Sequence, residues 1–324
     1  MRITSTEELK TVLTSKIQES ETACVITHIK PDGDGLAAAL ALQELYPKLR
    51  IILEKPASES FDFLSANTRC EAYSAEMQFN LVIVLDCHEI ERVGICGNLL
   101  TKANDIIAID HHLEQNIIPE SDFYINEHKA TIGIIIFNLF ENEILSLNNP
   151  SGKYIAEAIY TTLLNDTNNF TNANVDEETF LVSSKLLKTG FIPGSVAEKF
   201  LMNKSADQMR LIGDILMTTE THDNCNILFI HCTLDMLKKH NLEEDSTDKI
   251  TNYLKGTHKV KVIIFFLECK DEFRLSLRSN YINVNKIAVK FGGGGHRKAS
   301  GCPMKGTLEE NKQVILKEIR KQLN

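Results

Sequence analysis

Short, uniformly apolar runs alternate along the chain with segments whose apolar residues recur at helical spacing. Ala23-Cys24-Val25-Ile26-Thr27-His28, Arg50-Ile51-Ile52-Leu53, Leu81-Val82-Ile83-Val84-Leu85-Asp86 and Asp105-Ile106-Ile107-Ala108-Ile109-Asp110 have the character of buried strands. Three of these runs close on His or Asp. Helices are predicted after Ser5-Thr6-Glu7-Glu8, a capping box followed by Leu9, Val12, Leu13 and Ile17, and over Leu36–Leu45, Thr131–Asn142 and Ser151–Leu164. Such alternation implies an α/β fold with a doubly wound, mostly parallel sheet and helices on both faces. After a helical stretch at 176–188, Thr189-Gly190-Phe191-Ile192-Pro193-Gly194 interrupts the pattern, and a further helical region runs from Val196 to about Met217. The tail has a different pattern, in which Asn226–Thr233, Val260–Glu268 and Glu272–Ser279 read as strands, the last two joined across 269–271 as a hairpin. The expected organisation is an N-terminal α/β domain over 1–188, a linker over 189–212 with a hinge at the Thr189–Gly194 break, and a smaller α+β domain over 213–324.

Composition narrows the partners. The hydrophobic fraction of 43% and charged fraction of 24% over 324 residues are ordinary for a globular protein, which excludes disordered, collagenous and disulfide-scaffold classes. A formal charge of −9 provides no overall positive field for long duplex nucleic acid or an anionic membrane surface. The absence of Trp and the 7% aromatic content argue against an extended single-strand platform. Eight scattered cysteines without a Cys-x-x-Cys pair, and no apolar leader, point to a reduced cytoplasmic setting. The longest apolar run, Ile132–Leu139, is too short to span a bilayer, so no membrane anchor is expected.

In an open parallel sheet, ligands bind outside the carboxyl ends of the strands. Here those ends carry His28 followed by Asp32 and Asp34, then Asp86, then Asp110-His111-His112; Asp166 follows a helix that returns towards the same edge. One Asp at a strand end is most often a turn former or helix cap, but several arriving together point to a site. Carboxylates with one or two imidazoles suit Mn²⁺ or Mg²⁺ better than structural zinc, which favours cysteine. Two ions sharing a carboxylate can lower the pKa of bound water and clamp the attacking and leaving oxygens of phosphoryl transfer. A second feature, Gly292-Gly293-Gly294-Gly295-His296-Arg297, lacks the Gly-Lys-Ser/Thr ending of a P-loop and follows a helix-like segment over 284–290. Backbone without Cβ atoms can still approach an anion closely and offer N–H donors.

Taken in order, His28-Ile29-Lys30-Pro31-Asp32-Gly33-Asp34, Val84-Leu85-Asp86, Asp110-His111-His112, Asp166-Thr167 and Gly292–His296 resemble the motifs of the DHH phosphoesterase superfamily with its DHHA1 domain. Length and layout are most similar to the nanoRNase/pAp phosphatase group. The resemblance implies a DHH domain and a DHHA1 domain with the active site in the cleft between them. It implies Mn²⁺ as cofactor, two ions with Mg²⁺ as a substitute, held by His28, Asp32, Asp34, Asp86, His111 and Asp166, with Asp86 as bridge. Asp86, His111 and His112 are the implied catalytic residues, and Asp110 and His112 lie close by to orient ligands or meet phosphate. Arg92, Arg278, Gly293, Gly294, Gly295, His296 and Arg297 are the implied substrate-binding residues. The implied substrates are short single-stranded oligonucleotides (nanoRNA, linear dinucleotides) and 3′-phosphoadenosine 5′-phosphate, without long duplex or membrane partners; a homodimer is compatible. The alternatives are a manganese inorganic pyrophosphatase or polyphosphatase, against which the glycine run argues, and a silent nucleotide-binding protein, against which the retained carboxylates argue. This chain departs from the family pattern at Ala37 and Ala38, at Asn168-Asn169 after Asp166-Thr167, and at Ile134. His88 reads as a neutral surface histidine on the crevice rim.

Overall fold

The computed structural model describes all residues except 115, 148, 248–249 and 324, and the chain forms two compact units, Met1–Asn203 and Lys204–Asn324. In the first, β1 (Ala23–Ile26), β2 (Leu49–Leu53), β3 (Cys70–Ala72), β4 (Leu81–Leu85), β5 (Asp105–Asp110) and β6 (Asp122–Ile125) make an all-parallel sheet of order β3-β2-β1-β4-β5-β6. The strand order reverses between β1 and β4, and this switch point opens a crevice at the carboxyl ends of the two strands. Every residue of β1 and β4 is buried, the signature of a sheet covered on both faces. β3 and β6 were not apparent in the apolar pattern, because as short edge strands they are only partly buried.

One face of the sheet packs against α1 (Thr6–Glu19), α2 (Gly35–Leu45), α3 (Ala66–Arg69), α4 (Ile132–Ser146), α5 (Pro150–Asp166), α6 (Glu177–Leu186) and α7 (Pro193–Leu201), which share a core with Val25, Ile83 and Ile107. The other face was expected to carry helices too. Instead, Val93, Cys96, Leu99 and Leu100 from 3₁₀ turns cover it, where Gly94 (φ +66°) and Gly97 disfavour a regular α-helix. The helix starts follow local chemistry: the Ser5 hydroxyl accepts from Glu8 N at 3.1 Å, the Thr131 hydroxyl from Ile134 N at 3.1 Å, and Asn149 caps α5 ahead of Pro150.

The second unit holds α8 (Ala206–Met217), β7 (Glu220–His222), β8 (Ile227–Cys232), α9 (Leu234–Lys239), β9 (Val262–Glu268), β10 (Phe273–Ser279), α10 (Val284–Ala288), β11 (Gly294–His296), β12 (Ala299–Met304) and α11 (Leu308–Leu323). Its sheet has the order β11-β12-β10-β9-β8-β7, with β8 and β9 parallel and the other pairs antiparallel. The hairpin expected across 269–271 is present, closed by Cys269 N donating to Glu272 O at 2.8 Å. Residues 189–212, read as a linker, hold α7 and the first half of α8, and the two helices have different allegiances. α7 buries Val196 in the first core, and α8 buries Leu211, Ile212 and Ile215 in the second, because each has apolar residues at helical spacing. The glycine run is likewise more ordered than a loop: Gly294–His296 form an edge strand on β12. At Gly293 a Cβ would lie 2.1 Å from the Gly301 carbonyl, so close strand contact excludes any side chain there.

Candidate metal centre

Strand ends deliver the site. β1 leads directly into Thr27-His28, β4 into Asp86, and β5 ends at Asp110 ahead of His111 and His112. Asp32 and Asp34 lie in the turn that enters α2, and Asp166 is the last residue of α5. Potential ligand atoms converge in overlapping groups: His28, Asp32 and Asp86; Asp34, His111 and Asp166; and Asp86, Asp110, His111 and His112. Asp86 joins them with different oxygens. Its Oδ2 lies 3.6 Å from His28 Nε2 and its Oδ1 3.4 Å from His111 Nε2. Asp86 also has φ +60°, a left-handed conformation unusual for a non-glycine residue and of the kind that persists at functional sites.

His111 Nδ1 lies 3.0 Å from the Lys129 carbonyl, which can only accept, so Nδ1 carries the proton. Nε2 then faces Asp34 Oδ2 at 3.1 Å, Asp166 Oδ2 at 3.3 Å and Asp86 Oδ1. His111 Nε2 and Asp86 Oδ1 are both buried without a hydrogen-bond partner. Two acceptor-type atoms left bare among carboxylates are costly in a protein interior unless a cation satisfies them. The titration behaviour points the same way. Burial, and then the charges of Asp166 and Asp86, push the Asp34 carboxyl well above the usual range. Burial alone would lower the imidazoles of His28 and His111. The carboxylates of Asp32 and Asp86 outweigh it at His28, raising it to about 9, and those of Asp166, Asp34 and Asp86 push His111 far higher. The pocket therefore has excess negative charge and oxygen and imidazole donors, a set that fits hard-to-borderline divalent ions.

Residues 22–163 match the DHH family, N-terminal domain, and residues 226–324 the DHHA1 domain. The chain belongs to the DHH family. Over 300 residues it is 25% identical to the bifunctional oligoribonuclease and PAP phosphatase NrnA of Mycoplasma pneumoniae, covering 90% of each chain. It is 27% identical over 313 residues to the protein of that name from Thermus thermophilus, covering 92% of this chain and 89% of the relative. A solved exopolyphosphatase-related protein from Bacteroides fragilis shares the fold with a TM-score of 0.88 at 22% identity, covering 97% of this chain and 96% of the other. As a DHH phosphoesterase, the chain is a hydrolase acting on phosphoester bonds, and the family is metal-dependent.

Within this DHH site, a layer of residues that the sequence pattern did not single out supports the ligands. Asp34 is fully buried and accepts from Ile132 N at 2.9 Å and Gly133 N at 3.4 Å, so the N-terminus of α4 faces its carboxylate. Gly133 is required there, because a Cβ would lie 1.9 Å from Thr162 Oγ1. Asn165 Nδ2 spans Asp32 Oδ2 at 3.0 Å and Asp166 Oδ1 at 2.8 Å. Both Asp110 oxygens are occupied: Oδ1 accepts from His111 N at 2.7 Å and His112 N at 3.1 Å and lies 2.8 Å from His112 Nδ1, while Oδ2 meets His88 Nδ1 at 2.5 Å. Burial opposes ionisation of Asp110, but these bonds outweigh it and hold the carboxyl far below the usual range. The same contact pushes His112 up against the burial that would lower it. His88 is thus not a surface residue; at 1% exposure it is a buried prop for Asp110. Its place two residues after Asp86 was the only sign of this in the sequence.

The departures from the family pattern have local explanations. Ala37, Ala38 and Ile134 are fully buried in α2 and α4, where they fill core rather than line the crevice. Asn168, Asn169 and Phe170 all have positive φ (+47°, +56° and +60°), and asparagine is among the non-glycine residues that best tolerate this. Arg92 sits on a 3₁₀ turn whose carbonyl accepts from Ile29 N at 2.7 Å, next in sequence to His28. In the second unit, Arg278 is on β10, with its guanidinium donating to the carbonyls of Leu277 at 3.0 Å and Ser300 at 3.5 Å; burial pushes it below its ordinary value. His296, on β11, and Arg297 are exposed, as are Gly294 and Gly295.

Proposed function

We propose that this phosphoesterase hydrolyses very short oligonucleotides, linear dinucleotides and 3′-phosphoadenosine 5′-phosphate in the cytoplasm with two Mn²⁺ ions, for which Mg²⁺ can stand in. The observation that carries this reading is the division of Asp86, with Oδ2 towards His28 and Oδ1 towards His111. One ion would be held by His28, Asp32 and Asp86, and the other by Asp34, Asp86, His111 and Asp166. Bound divalent ions supply a water of lowered pKa and neutralise charge on the phosphoryl group.

The chain's own residues do the rest. Asp110 holds His112 by Nδ1 and leaves its Nε2 to meet a phosphate oxygen or protonate the leaving oxygen. Lys129 fixes the ring of His111 through its carbonyl, and Asn165 holds one carboxylate of each ion group in place. Arg278, His296, Arg297 and the backbone of Gly293, Gly294 and Gly295 are proposed to bind the nucleotide, with Arg92 as a further phosphate contact. Arg278 is suited to this because, among the described residues, its hydrogen bonds go to carbonyls and none to a carboxylate. A small cationic set of this kind reads the end of a short chain.

The test is product analysis with Mn²⁺ on a 5′-labelled RNA trinucleotide, 3′-phosphoadenosine 5′-phosphate and pyrophosphate, with Asp86→Ala as control. Mononucleotides and phosphate from the first two substrates, absent in Asp86→Ala, support the proposal. Turnover of pyrophosphate alone, or of nothing, overturns it.

A further inference from the structure

The helix α11 carries a polar residue where its pattern calls for an apolar one. Ile315, Leu316 and Ile319 bury its inner face in the core of the second unit, and Asn311, one turn ahead of Ile315 on that face, is only 2% exposed. Its Nδ2 is buried without a hydrogen-bond partner. A donor left bare in this way carries a desolvation cost that nothing in the fold repays. Asn311 lines a cavity of about 630 Å³, a size typical of clefts that hold small molecules. Most of the remaining wall is apolar, from Phe291 in the 3₁₀ turn after α10, Pro303 and Met304 at the end of β12, and Val314 on α11. Met304 stands five residues along β12 from Ala299, the partner of Arg278, which is about 17 Å at the rise of a strand. The cavity is therefore at the opposite end of these strands from the cations proposed to bind substrate.

The chemistry of the wall selects the occupant. The charged residues of the lining are Lys305, Glu272 and Glu310, so the cavity is net negative and disfavours a phosphate or another strong anion. A purely aliphatic molecule would leave Asn311 Nδ2 bare, so the occupant carries a hydrogen-bond acceptor. A phenylalanine ring and a methionine thioether are surfaces that favour an aromatic ring. We propose that this cavity is a binding site for an uncharged, planar heteroaromatic molecule of the nucleobase class, separate from the metal centre. Its ring lies against Phe291 and Met304, and a ring nitrogen or carbonyl accepts from Asn311 Nδ2.

The test is a titration of the full chain, in chelator, followed by the methyl resonance of Met304 in protein labelled at its methionine methyl groups, with Met304→Leu to assign the signal. Adenosine is the neutral probe and adenosine 5′-monophosphate the anionic one. Adenosine is expected to shift the Met304 signal saturably, and the monophosphate to do so about tenfold more weakly. Asn311→Leu, which continues the apolar stripe of α11, is expected to weaken adenosine about tenfold, the loss of one hydrogen bond. Val314→Trp fills the cavity from a position that is 41% exposed and is expected to abolish the shift, with an unchanged circular dichroism spectrum as the check on folding. Arg278→Gln is expected to leave the Met304 shift as in wild type. No shift with adenosine, an Asn311→Leu variant that binds like wild type, or a monophosphate that binds more tightly than adenosine at Met304 would each overturn the site. So would loss of the shift in Arg278→Gln, since adenosine would then act from the substrate-binding end of the sheet.

Discussion

The two units each carry a six-stranded sheet and use it in opposite ways. In the first, the strands are parallel and buried on both faces, so chemistry is confined to the strand ends, where Asp and His converge until atoms such as Asp86 Oδ1 and His111 Nε2 are left bare. In the second, the sheet is mostly antiparallel, and its edge hairpin exposes His296 and Arg297 while Arg278 on the neighbouring strand keeps its guanidinium on backbone carbonyls. The first unit gathers an excess of anionic donors, whereas Arg278, His296 and Arg297 of the second make no ion pair with a carboxylate among the described residues. The net charge of −9 conceals this division. On the proposed function, it is this local balance, rather than the total, that would suit one unit to metal and the other to phosphate.

The largest effect is expected at Asp86, proposed to serve both ion groups. Asp86→Ala is expected to lower the rate of phosphoester hydrolysis on the order of 10³-fold, since several kcal/mol of charge stabilisation is lost. Measured in chelator, the same variant is expected to melt no lower than wild type, because it removes a buried carboxylate from a crowd of carboxylates. A large drop in melting temperature without metal would mean that Asp86 is structural.

A smaller effect is expected one layer out. His88→Ala leaves every ligand in place but frees Asp110 on one side, and should weaken metal binding about 10–100-fold by calorimetry. Unchanged affinity would show that Asp110 does not need its buried histidine. In the second unit, Arg278→Gln is expected to raise KM for 3′-phosphoadenosine 5′-phosphate roughly tenfold, the loss of about one charge-assisted contact, with metal stoichiometry unaltered. A fall in metal binding instead would remove the distinction between the units. The smallest effect belongs to the turn after Asp166: Asn169→Gly relieves a left-handed asparagine and should raise stability by no more than about 1 kcal/mol in denaturant melts.

The same contrast explains what could be read from the sequence. β1, β4 and β5 were legible because burial on both faces demands unbroken apolar runs, and their terminal His and Asp marked the crevice at once. β3, β6 and the glycine-rich β11 were not, since short edge strands carry little apolar pattern and glycine signals permissiveness rather than pairing. The helices of 189–212 were visible as helical spacing, but which core each joins depends on tertiary packing. Among site residues, ligand types at strand ends were readable, whereas the roles of His88 and Asn165 depend on side-chain directions fixed only by the folded crevice. Asn168-Asn169 read as a departure in sequence, yet in the structure they satisfy the positive φ that the turn requires.

The proposed function requires the first unit to hold two divalent ions through a shared Asp86. Its most direct test is Mn²⁺ titration of the metal-stripped full chain by calorimetry, with elemental analysis of the loaded protein, in wild type and Asp86→Asn. Two ions per chain are expected in wild type and at most one, weakly held, in the variant. Failure of wild type to bind Mn²⁺, or equal stoichiometry and affinity in Asp86→Asn, would contradict it.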